Sequence, residues 1–206
     1  MTKKFKSILF LGAPGSGKGT QGKMLGSLLG FFHISSGDLF RSLDKTSELG
    51  KIFLEYSSKG LLVPDDFTVR LFEDHLKRLV ESKKIDPDND TLVLDGIPRN
   101  VNQAKMLDPI LNVQKIIVLR VEHGLDEIVE RMRLRALKEG RHDDADETTI
   151  RRRFEVYERE TKPILDYYPR DIIVEVNGLQ GGPVAVAHDI FCALLGRFHE
   201  MKPVPH

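Results

Sequence analysis

Four glycines and a lysine follow directly after an apolar run near the start of the chain, in the stretch FLGAPGSGKGT at residues 10–20. Glycine destabilises the interior of a strand or a helix, so this cluster predicts a loop whose backbone closely approaches another group. Gly12, Gly17 and Lys18 have the spacing of a phosphate-binding loop, in which a glycine is followed by four residues and then Gly-Lys. Such a loop joins a strand to a helix, because backbone amides and the positive helix end both point at the phosphate. The loop therefore predicts an α/β fold in which Lys18 faces a phosphate group.

Apolar runs of strand length recur along the chain and alternate with helix-compatible stretches. The strand candidates are KSILFLG, FFHIS, TLVLDG, KIIVLRV and DIIVEV. The helix candidates cover residues 19–29, 67–80, 125–137, 149–168 and 184–198, and the second of them follows Pro64-Asp65-Asp66, which is typical of a helix start. This alternation predicts a central parallel five-stranded sheet covered by helices on both faces, which makes three layers.

Two stretches interrupt the alternation. Residues 36–64 hold two short helical segments, and we expect them to form an inserted helical lobe with few apolar anchors. Residues 138–147 read KEGRHDDADE and are strongly polar, so we expect a short mobile loop there.

The composition limits the classes of protein to which this chain can belong. Acidic and basic side chains are equal in number, which gives no support for a nucleic-acid-binding protein, since such proteins are usually markedly basic. No apolar run approaches the ~20 residues that span a bilayer, and the basic N-terminal stretch is interpreted as the start of a strand and not as a signal peptide. Cys192 is the single cysteine, so an intrachain disulfide is excluded. We therefore expect one cytoplasmic domain without nucleic-acid or membrane partners.

The residue after the lysine departs from the usual phosphate-loop pattern. Serine or threonine usually follows the lysine and holds magnesium, whereas here Gly19 follows it and Thr20 comes next. With this G-K-G-T ending, the stretch GAPGSGKGTQ resembles the adenylate kinase family of nucleoside monophosphate kinases. Similar motifs follow in the family's order, namely ISSGDLFR at 34–41, GLLVPDD at 60–66, LDGIPRNVNQA at 94–104, GRHDD at 140–144, RRRF at 151–154 and VNG at 176–178.

The resemblance implies a P-loop three-layer fold with a helical lobe for the nucleoside monophosphate (NMP) and a short lid. The implied domain organisation is a core of residues 1–35, 65–137 and 147–206, an NMP-binding lobe of residues 36–64 and a lid of residues 138–146. Within the motif LDGIPRNVNQA, Ile97 occupies a position at which the family usually has phenylalanine or tyrosine. This difference changes packing and no hydrogen bond.

The same resemblance implies the residues of the site. The implied ATP-binding residues are Gly15, Ser16, Gly17, Lys18, Gly19, Thr20, Arg131, Arg135 and Gly178. The implied AMP-binding residues are Ser36, Arg41, Leu62, Val63, Gly96, Arg99, Gln103, Arg141 and Arg153. The side chains implied to stabilise the transferred phosphoryl group are Lys18, Arg99, Arg135, Arg141 and Arg153.

Three further assignments come from the resemblance. Asp95 is implied to anchor Mg²⁺ through water, and Asp143 and Asp144 are implied to be lid carboxylates. The spacing from Arg141 is one residue longer than is typical, so Arg152 is an alternative to Arg153.

The implied activity is reversible transfer of a phosphoryl group from Mg-ATP to AMP, giving two ADP, by a monomeric enzyme. A pyrimidine monophosphate kinase is the alternative within the class, and Gln103 and Ser36 both favour AMP, because a glutamine amide suits the adenine edge and the family's pyrimidine kinases lack this hydroxyl. A nucleotide-binding regulatory protein that has lost activity is the alternative from another class. The presence of every expected cationic residue counts against it.

Overall fold

A computed structural model describes residues 4–121, 125–139 and 146–195 of the chain. The implied lid residues Arg141, Asp143 and Asp144 lie outside these ranges. The strands are β1 (Phe5–Gly12), β2 (Phe31–Ser35), β3 (Thr91–Asp95), β4 (Leu111–Arg120) and β5 (Ile173–Asn177). They form one sheet in the order β2-β3-β1-β4-β5, and every neighbouring pair is parallel. The predicted parallel sheet of five strands is confirmed.

Helices connect the strands and cover both faces of the sheet. They are α1 (Lys18–Gly26), α2 (Ser36–Arg41), α3 (Glu48–Ser58), α4 (Asp65–Glu81), α5 (Val101–Leu107), α6 (Leu125–Glu139), α7 (Glu147–Val156), α8 (Ile164–Tyr167) and α9 (Gly182–Leu195). A π-helical turn at Tyr157–Thr161 follows α7, and a 3₁₀ turn at Arg170–Ile172 precedes β5. Among the helices of the described ranges, none combines the length and the apolar character that a membrane span requires.

Three predicted boundaries are wrong. The helix predicted over 149–168 is divided: α7 gives way to a π-helical turn at Tyr157, and Pro163, which has no N–H to continue the hydrogen-bond ladder, precedes α8. The helix predicted over 19–29 ends at Gly26, and the chain then turns through Gly30, whose φ is 83°, into β2. Strand β4 begins at Leu111 and not at residue 115, since its first residues pair with Phe5 of β1.

The core lies in two layers, one on each face of the sheet. Successive strand residues point to opposite faces, so each strand contributes to both layers. The layer beneath α4 includes Leu9, Leu92, Leu94, Ile97, Ile116, Phe72 and Leu76. The layer beneath α1 and α9 includes Ile8, Phe10, Val93, Ile117, Leu25, Val186 and Ile190. Apolar packing on both faces accounts for a sheet whose strands are almost continuously hydrophobic.

The inserted segment of residues 36–64 has a small core of its own. Phe40 stacks on Phe53 with ring centroids 5.3 Å apart, and Val63 and Leu71 complete the buried part of this cluster. The expectation that residues 36–64 have few apolar anchors is therefore wrong. Apolar residues of the short α2 and α3 pack on the start of α4, which fixes the segment beside the end of the sheet.

Candidate active site

A cleft opens at the carboxyl ends of the parallel strands, where open α/β sheets bind ligands. Gly12 ends β1, Asp95 ends β3, and Ser35 at the end of β2 pairs in register with Asp95. The cleft encloses about 370 Å³, which lies within the range of small-molecule sites. Its walls are completed by α2, by the stretch before α4 and by α6 and α7.

The glycine loop forms the floor of this cleft. Gly12 has a φ of 145°, and a Cβ atom added there would lie 2.6 Å from the carbonyl oxygen of Leu119, so only glycine fits. Gly17 takes the left-handed conformation as the N-cap of α1, and no side chain caps that helix end. The first amides of α1 are therefore available to an anion in the cleft.

Lys18 lies among opposite and like charges at the first turn of α1. Its Nζ donates hydrogen bonds to the carbonyl oxygens of Gly12, at 2.6 Å, and of Ala13, at 2.9 Å. Burial lowers the pKa of Lys18 to about 8, against which the Asp95 carboxylate acts. The guanidinium groups of Arg99, Arg153 and Arg135 lower this pKa further, in that order.

This arrangement concentrates positive charge in one place. The Asp95 carboxylate and the guanidinium groups of Arg99, Arg153 and Arg135 all act on the Lys18 ammonium group. Such a site favours a polyanion, because negative oxygens between the cations would relieve their mutual repulsion.

The opposite wall of the cleft is built around Gly96 and Arg99. The hydroxyl of Ser36 donates to the carbonyl oxygen of Gly96 at 2.5 Å, and Arg99 Nε donates to the same oxygen at 2.9 Å. The hydroxyl of Thr161 donates to the carbonyl oxygen of Arg99 at 2.7 Å. Arg41 Nη2 lies 2.7 Å from a carboxylate oxygen of Asp38. These bonds hold two arginines on the same side of the cleft as Ser36.

Gln103 is buried, with only 1% of its surface exposed, yet it reaches the cleft lining. Its Oε1 accepts a hydrogen bond from the backbone N–H of Arg99 at 2.8 Å, and its Nε2 donates to Asp65 Oδ1 at 2.8 Å. Leu62 and Val63 also line the cleft.

Asp95 is the candidate magnesium anchor. It is 9% exposed, it lines the cleft, and its Oδ2 lies 3.5 Å from the position that a Cβ atom on Gly19 would occupy. In the described ranges no group of three or more histidine, cysteine or acidic side chains could form a metal cage. One carboxylate beside a phosphate loop suits Mg²⁺, which keeps most of its waters and takes phosphate oxygens as ligands.

The structure brings most of the sequence-predicted residues to this one cleft. Those that line it are Gly15, Gly17, Lys18, Gly19, Thr20, Ser36, Arg41, Leu62, Val63, Asp95, Gly96, Arg99, Gln103, Arg131, Arg135 and Arg153.

The remaining predicted residues lie elsewhere. Ser16 is fully buried, and a Cβ atom on Gly178 would lie 2.6 Å from its carbonyl oxygen, so the two residues pack together behind the loop. Arg152 borders a separate groove on the outer side of α7, whereas Arg153 lines the cleft. Arg141 lies outside the described residues.

Several residues of the site were not predicted. Lys23 and Asp38 line the cleft, Thr161 holds the Arg99 backbone, and Asp65 holds the Gln103 side chain. Asp65 was interpreted only as a helix-start residue. In the structure it also accepts a hydrogen bond from Gln103, which lies on α5. Lys23 lies on α1 four residues after Gly19 and three after Thr20, and this same-face spacing is a signal that could have identified it.

A comparison with models of known protein families matches residues 10–173 to the family described as adenylate kinase. This match spans more than half of the chain and includes the glycine loop, the Asp95 to Gln103 segment and α7. The chain belongs to the adenylate kinase family.

Several curated members of the adenylate kinase family are similar over most of their length. The chain is 40% identical over 195 residues to the adenylate kinase of Nocardia farcinica, which covers 92% of this chain and 99% of that protein. It is 38% identical over 194 residues to that of Thermus thermophilus, covering 92% of this chain and 97% of that protein. It is 37% identical over 210 residues to that of Streptomyces avermitilis, covering 86% and 91% respectively. The resemblance inferred from the motifs is confirmed, and the chain is an enzyme of the phosphotransferase class.

Proposed function

We propose that this member of the adenylate kinase family transfers the terminal phosphoryl group of Mg-ATP reversibly to AMP, giving two ADP. The observation that carries the proposal is the convergence of Lys18, Arg99, Arg135 and Arg153 on one cleft beside an uncapped helix end. Bringing two nucleotide polyanions together requires fixed cations on several sides, because phosphoryl transfer depends mainly on positioning and charge stabilisation.

ATP would bind at the glycine-loop side of the cleft. Its phosphate oxygens would accept hydrogen bonds from the backbone amides at the start of α1. Lys18 Nζ would donate to phosphate oxygens in place of the carbonyl oxygens of Gly12 and Ala13. The donor phosphates would also contact Thr20 and Arg135, and the donor adenine would lie against Arg131, which is exposed at the cleft. Ser16 and Gly178 would support the loop from behind and shape the border of the adenine site.

AMP would bind on the opposite side, against the 36–64 lobe. Its phosphate would contact Arg41 and Arg99, with Ser36 and Gly96 close by. Its base would lie between the backbone of Leu62 and Val63 and the amide of Gln103.

The reaction needs little covalent chemistry from the protein. An oxygen of the AMP phosphate forms a bond to the γ-phosphorus of ATP while the bond from that phosphorus to the β,γ-bridging oxygen breaks, and one ADP remains on each side. Arg99 and Arg153 would stabilise the charge on the transferred group, and Arg141 is proposed to join them.

Mg²⁺ would be held beside Asp95 through water and through the ATP phosphates, and it would supply charge neutralisation at the phosphates when bound. Gly19 leaves room for this arrangement, because any larger residue would place its Cβ atom in van der Waals contact with the Asp95 carboxylate.

We further propose that the enzyme acts as a monomer in the cytoplasm, with residues 36–64 as the acceptor lobe and residues 138–146 as a short lid. The monomer is what the resemblance to the adenylate kinase family implies. The balanced charge and the single cysteine support a small-molecule enzyme of a reducing compartment over a nucleic-acid-binding protein. Light scattering coupled to size exclusion would measure the molar mass, and a dimeric mass would contradict the monomer.

The direct test is nucleotide analysis of purified protein incubated with Mg-ATP and AMP. We expect two ADP to appear for each ATP consumed, and we expect ATP and AMP to re-form when ADP alone is supplied. ATP hydrolysis to ADP and phosphate without consumption of AMP would contradict the proposal.

A further inference from the structure

Asp65 holds the side-chain amides of three residues at the start of α5. Its Oδ1 accepts hydrogen bonds from Asn100 Nδ2 and Gln103 Nε2, both at 2.8 Å, and its Oδ2 accepts one from Asn102 Nδ2 at 2.7 Å. Partial burial raises the pKa of the Asp65 carboxyl, but the amide donors of Asn102, Asn100 and Gln103 together outweigh this effect and hold the pKa below its usual range. The carboxyl is therefore ionised at neutral pH and acts only as a hydrogen-bond acceptor.

Asp65 fixes which way round the Gln103 amide lies. The Nε2 of Gln103 donates to the carboxylate, while its Oε1 accepts the backbone N–H of Arg99. A rotation of the amide by 180° would place an oxygen against the carboxylate and an NH₂ group against an N–H, so both contacts would become repulsive. Gln103 is 1% exposed, and water therefore cannot replace the lost partners.

The fixed orientation leaves a defined hydrogen-bond pattern for a base in the cleft. A primary amide has two N–H donors and two acceptor lone pairs, so one donor and one acceptor of Gln103 remain, side by side. Adenine offers the complement, since its 6-amino group donates and its ring N1 accepts. Hypoxanthine, the base of inosine monophosphate (IMP), has the same ring size with a 6-oxo acceptor and an N1–H donor, which is the reverse pattern.

We propose that Asp65 is a positioning residue for base selection: by holding the Gln103 amide in one orientation, it makes the acceptor site take adenine and reject 6-oxopurines. The inference rests on the proposed binding of AMP beside Gln103. Asp65 itself contacts Gln103 from the first turn of α4 and acts on the base only through that side chain.

The test compares Asp65→Ala with Asp66→Ala. Both variants remove one carboxylate from the first turn of α4, but Asp66 is exposed, whereas Asp65 binds Gln103. The measurements are kcat/KM for AMP and for IMP at saturating Mg-ATP, and KM for ATP at saturating AMP. We expect the parent to prefer AMP over IMP. We expect Asp65→Ala to reduce the ratio of the two kcat/KM values at least tenfold while KM for ATP changes less than threefold, since the hydrogen bond that holds Gln103 to the charged carboxylate is lost.

Two further variants separate positioning from stability. Asp65→Asn retains one acceptor oxygen for Gln103, and we expect it to keep most of the parent's AMP-to-IMP ratio. Asp65→Ser keeps a residue favourable near a helix start but is too short to reach the amide, and we expect the same loss of selectivity as in Asp65→Ala. Asp65→Ser thus provides the test if Asp65→Ala does not fold.

Two results would overturn the inference. The first is an unchanged AMP-to-IMP ratio in folded Asp65→Ala or Asp65→Ser, because Asp65 would then serve only the start of α4. The second is a parent enzyme that phosphorylates AMP and IMP equally well. A parent enzyme that phosphorylates neither would instead contradict the proposed function.

Discussion

Lys18 is a charged side chain that folding places in an unfavourable environment. Its side chain is partly buried, its hydrogen-bond acceptors among the described residues are the backbone carbonyls of Gly12 and Ala13, and three arginines act on it. Its pKa is lowered from 10.5 to about 8, so at neutral pH the charged form is less favourable in the folded protein than in the unfolded chain. We infer that the site is preorganised for phosphate at the expense of stability, as is common for binding sites.

Replacement of this lysine separates function from stability. We expect Lys18→Met to reduce kcat at least about a hundredfold, because the lost charge serves the transferred phosphates. We expect its unfolding free energy without nucleotide to be no lower than that of the parent, since the variant removes a buried charge. Steady-state kinetics and urea unfolding measure the two effects. Lys77→Met, at an exposed position of α4, is the matched control and should change neither. Activity within tenfold of the parent in folded Lys18→Met would refute this assignment.

Helix α1 packs closely on β2 because glycines occupy the helix face that meets this strand. A Cβ atom on Gly22 would lie 2.4 Å from His33 Nε2, and one on Gly26 would lie 2.5 Å from His33 Cβ. The two glycines therefore let α1 lie directly on the strand, with the imidazole filling the remaining space. Burial lowers the pKa of His33, which matches a neutral ring packed in this contact.

We expect Gly22→Ala to destabilise the protein by about 1–3 kcal/mol, although alanine is the better helix residue, because the added methyl group overlaps the imidazole. The double variant Gly22→Ala/His33→Ala should recover much of this loss, since the ring is then absent. Thermal or urea unfolding of both single variants and the double variant completes a mutant cycle. Strictly additive effects would show that His33 does not limit the approach of α1.

Elements set by local pattern could be predicted from the sequence, and elements set by distant partners could not. The glycine loop and the apolar strands are local signals, and the structure confirms a five-stranded parallel sheet. The first residues of β4, LNVQ, alternate apolar and polar side chains over only four positions, and they are a strand because β1 pairs with them. Pro163 is a local signal of a helix break, and the prediction of one helix over 149–168 did not use it.

The same distinction applies to the candidate site. The motifs located Lys18, Asp95 and Arg99 in the sequence, and these residues meet at the strand ends. The contact between Asp65 and Gln103 joins residues 38 positions apart on two different helices, and nothing in either local pattern indicates it. Sequence patterns thus identify groups that could touch a nucleotide more readily than the groups that hold them in place.

At the scale of the whole molecule, the 36–64 lobe meets the helix that carries Arg153. The hydroxyl of Thr149 on α7 donates to the carbonyl oxygen of Ser58 at 3.3 Å. Just beyond it, a Cβ atom on Gly60 would lie 2.9 Å from the carbonyl oxygen of Thr149 and 3.3 Å from Arg153 Cγ. The lobe and α7 are therefore in contact. Closing of the cleft around two nucleotides would change this contact.

Binding of both nucleotides should slow amide hydrogen exchange in residues 36–64. The lobe forms one wall of the cleft, and a bound ligand would add contacts between it and the opposite wall. The measurement is exchange detected by mass spectrometry with and without an ATP–AMP bisubstrate analogue, with β1 and β3 as internal controls that should change little. Unchanged exchange throughout residues 36–64 at saturating analogue would contradict closure of this lobe.

The choice of acceptor tests the central claim most directly, because it depends on the glycine loop, the cationic cleft and Gln103 together. A pyrimidine has a smaller ring than adenine and does not extend as far toward the amide, so the remaining donor and acceptor of Gln103 stay unpaired, at a cost of about 1–3 kcal/mol for each lost hydrogen bond. The measurement is kcat/KM for AMP, CMP, UMP and GMP at saturating Mg-ATP. We predict that AMP exceeds CMP and UMP by at least about tenfold to a hundredfold. Equal values for AMP and either pyrimidine nucleotide would contradict the account.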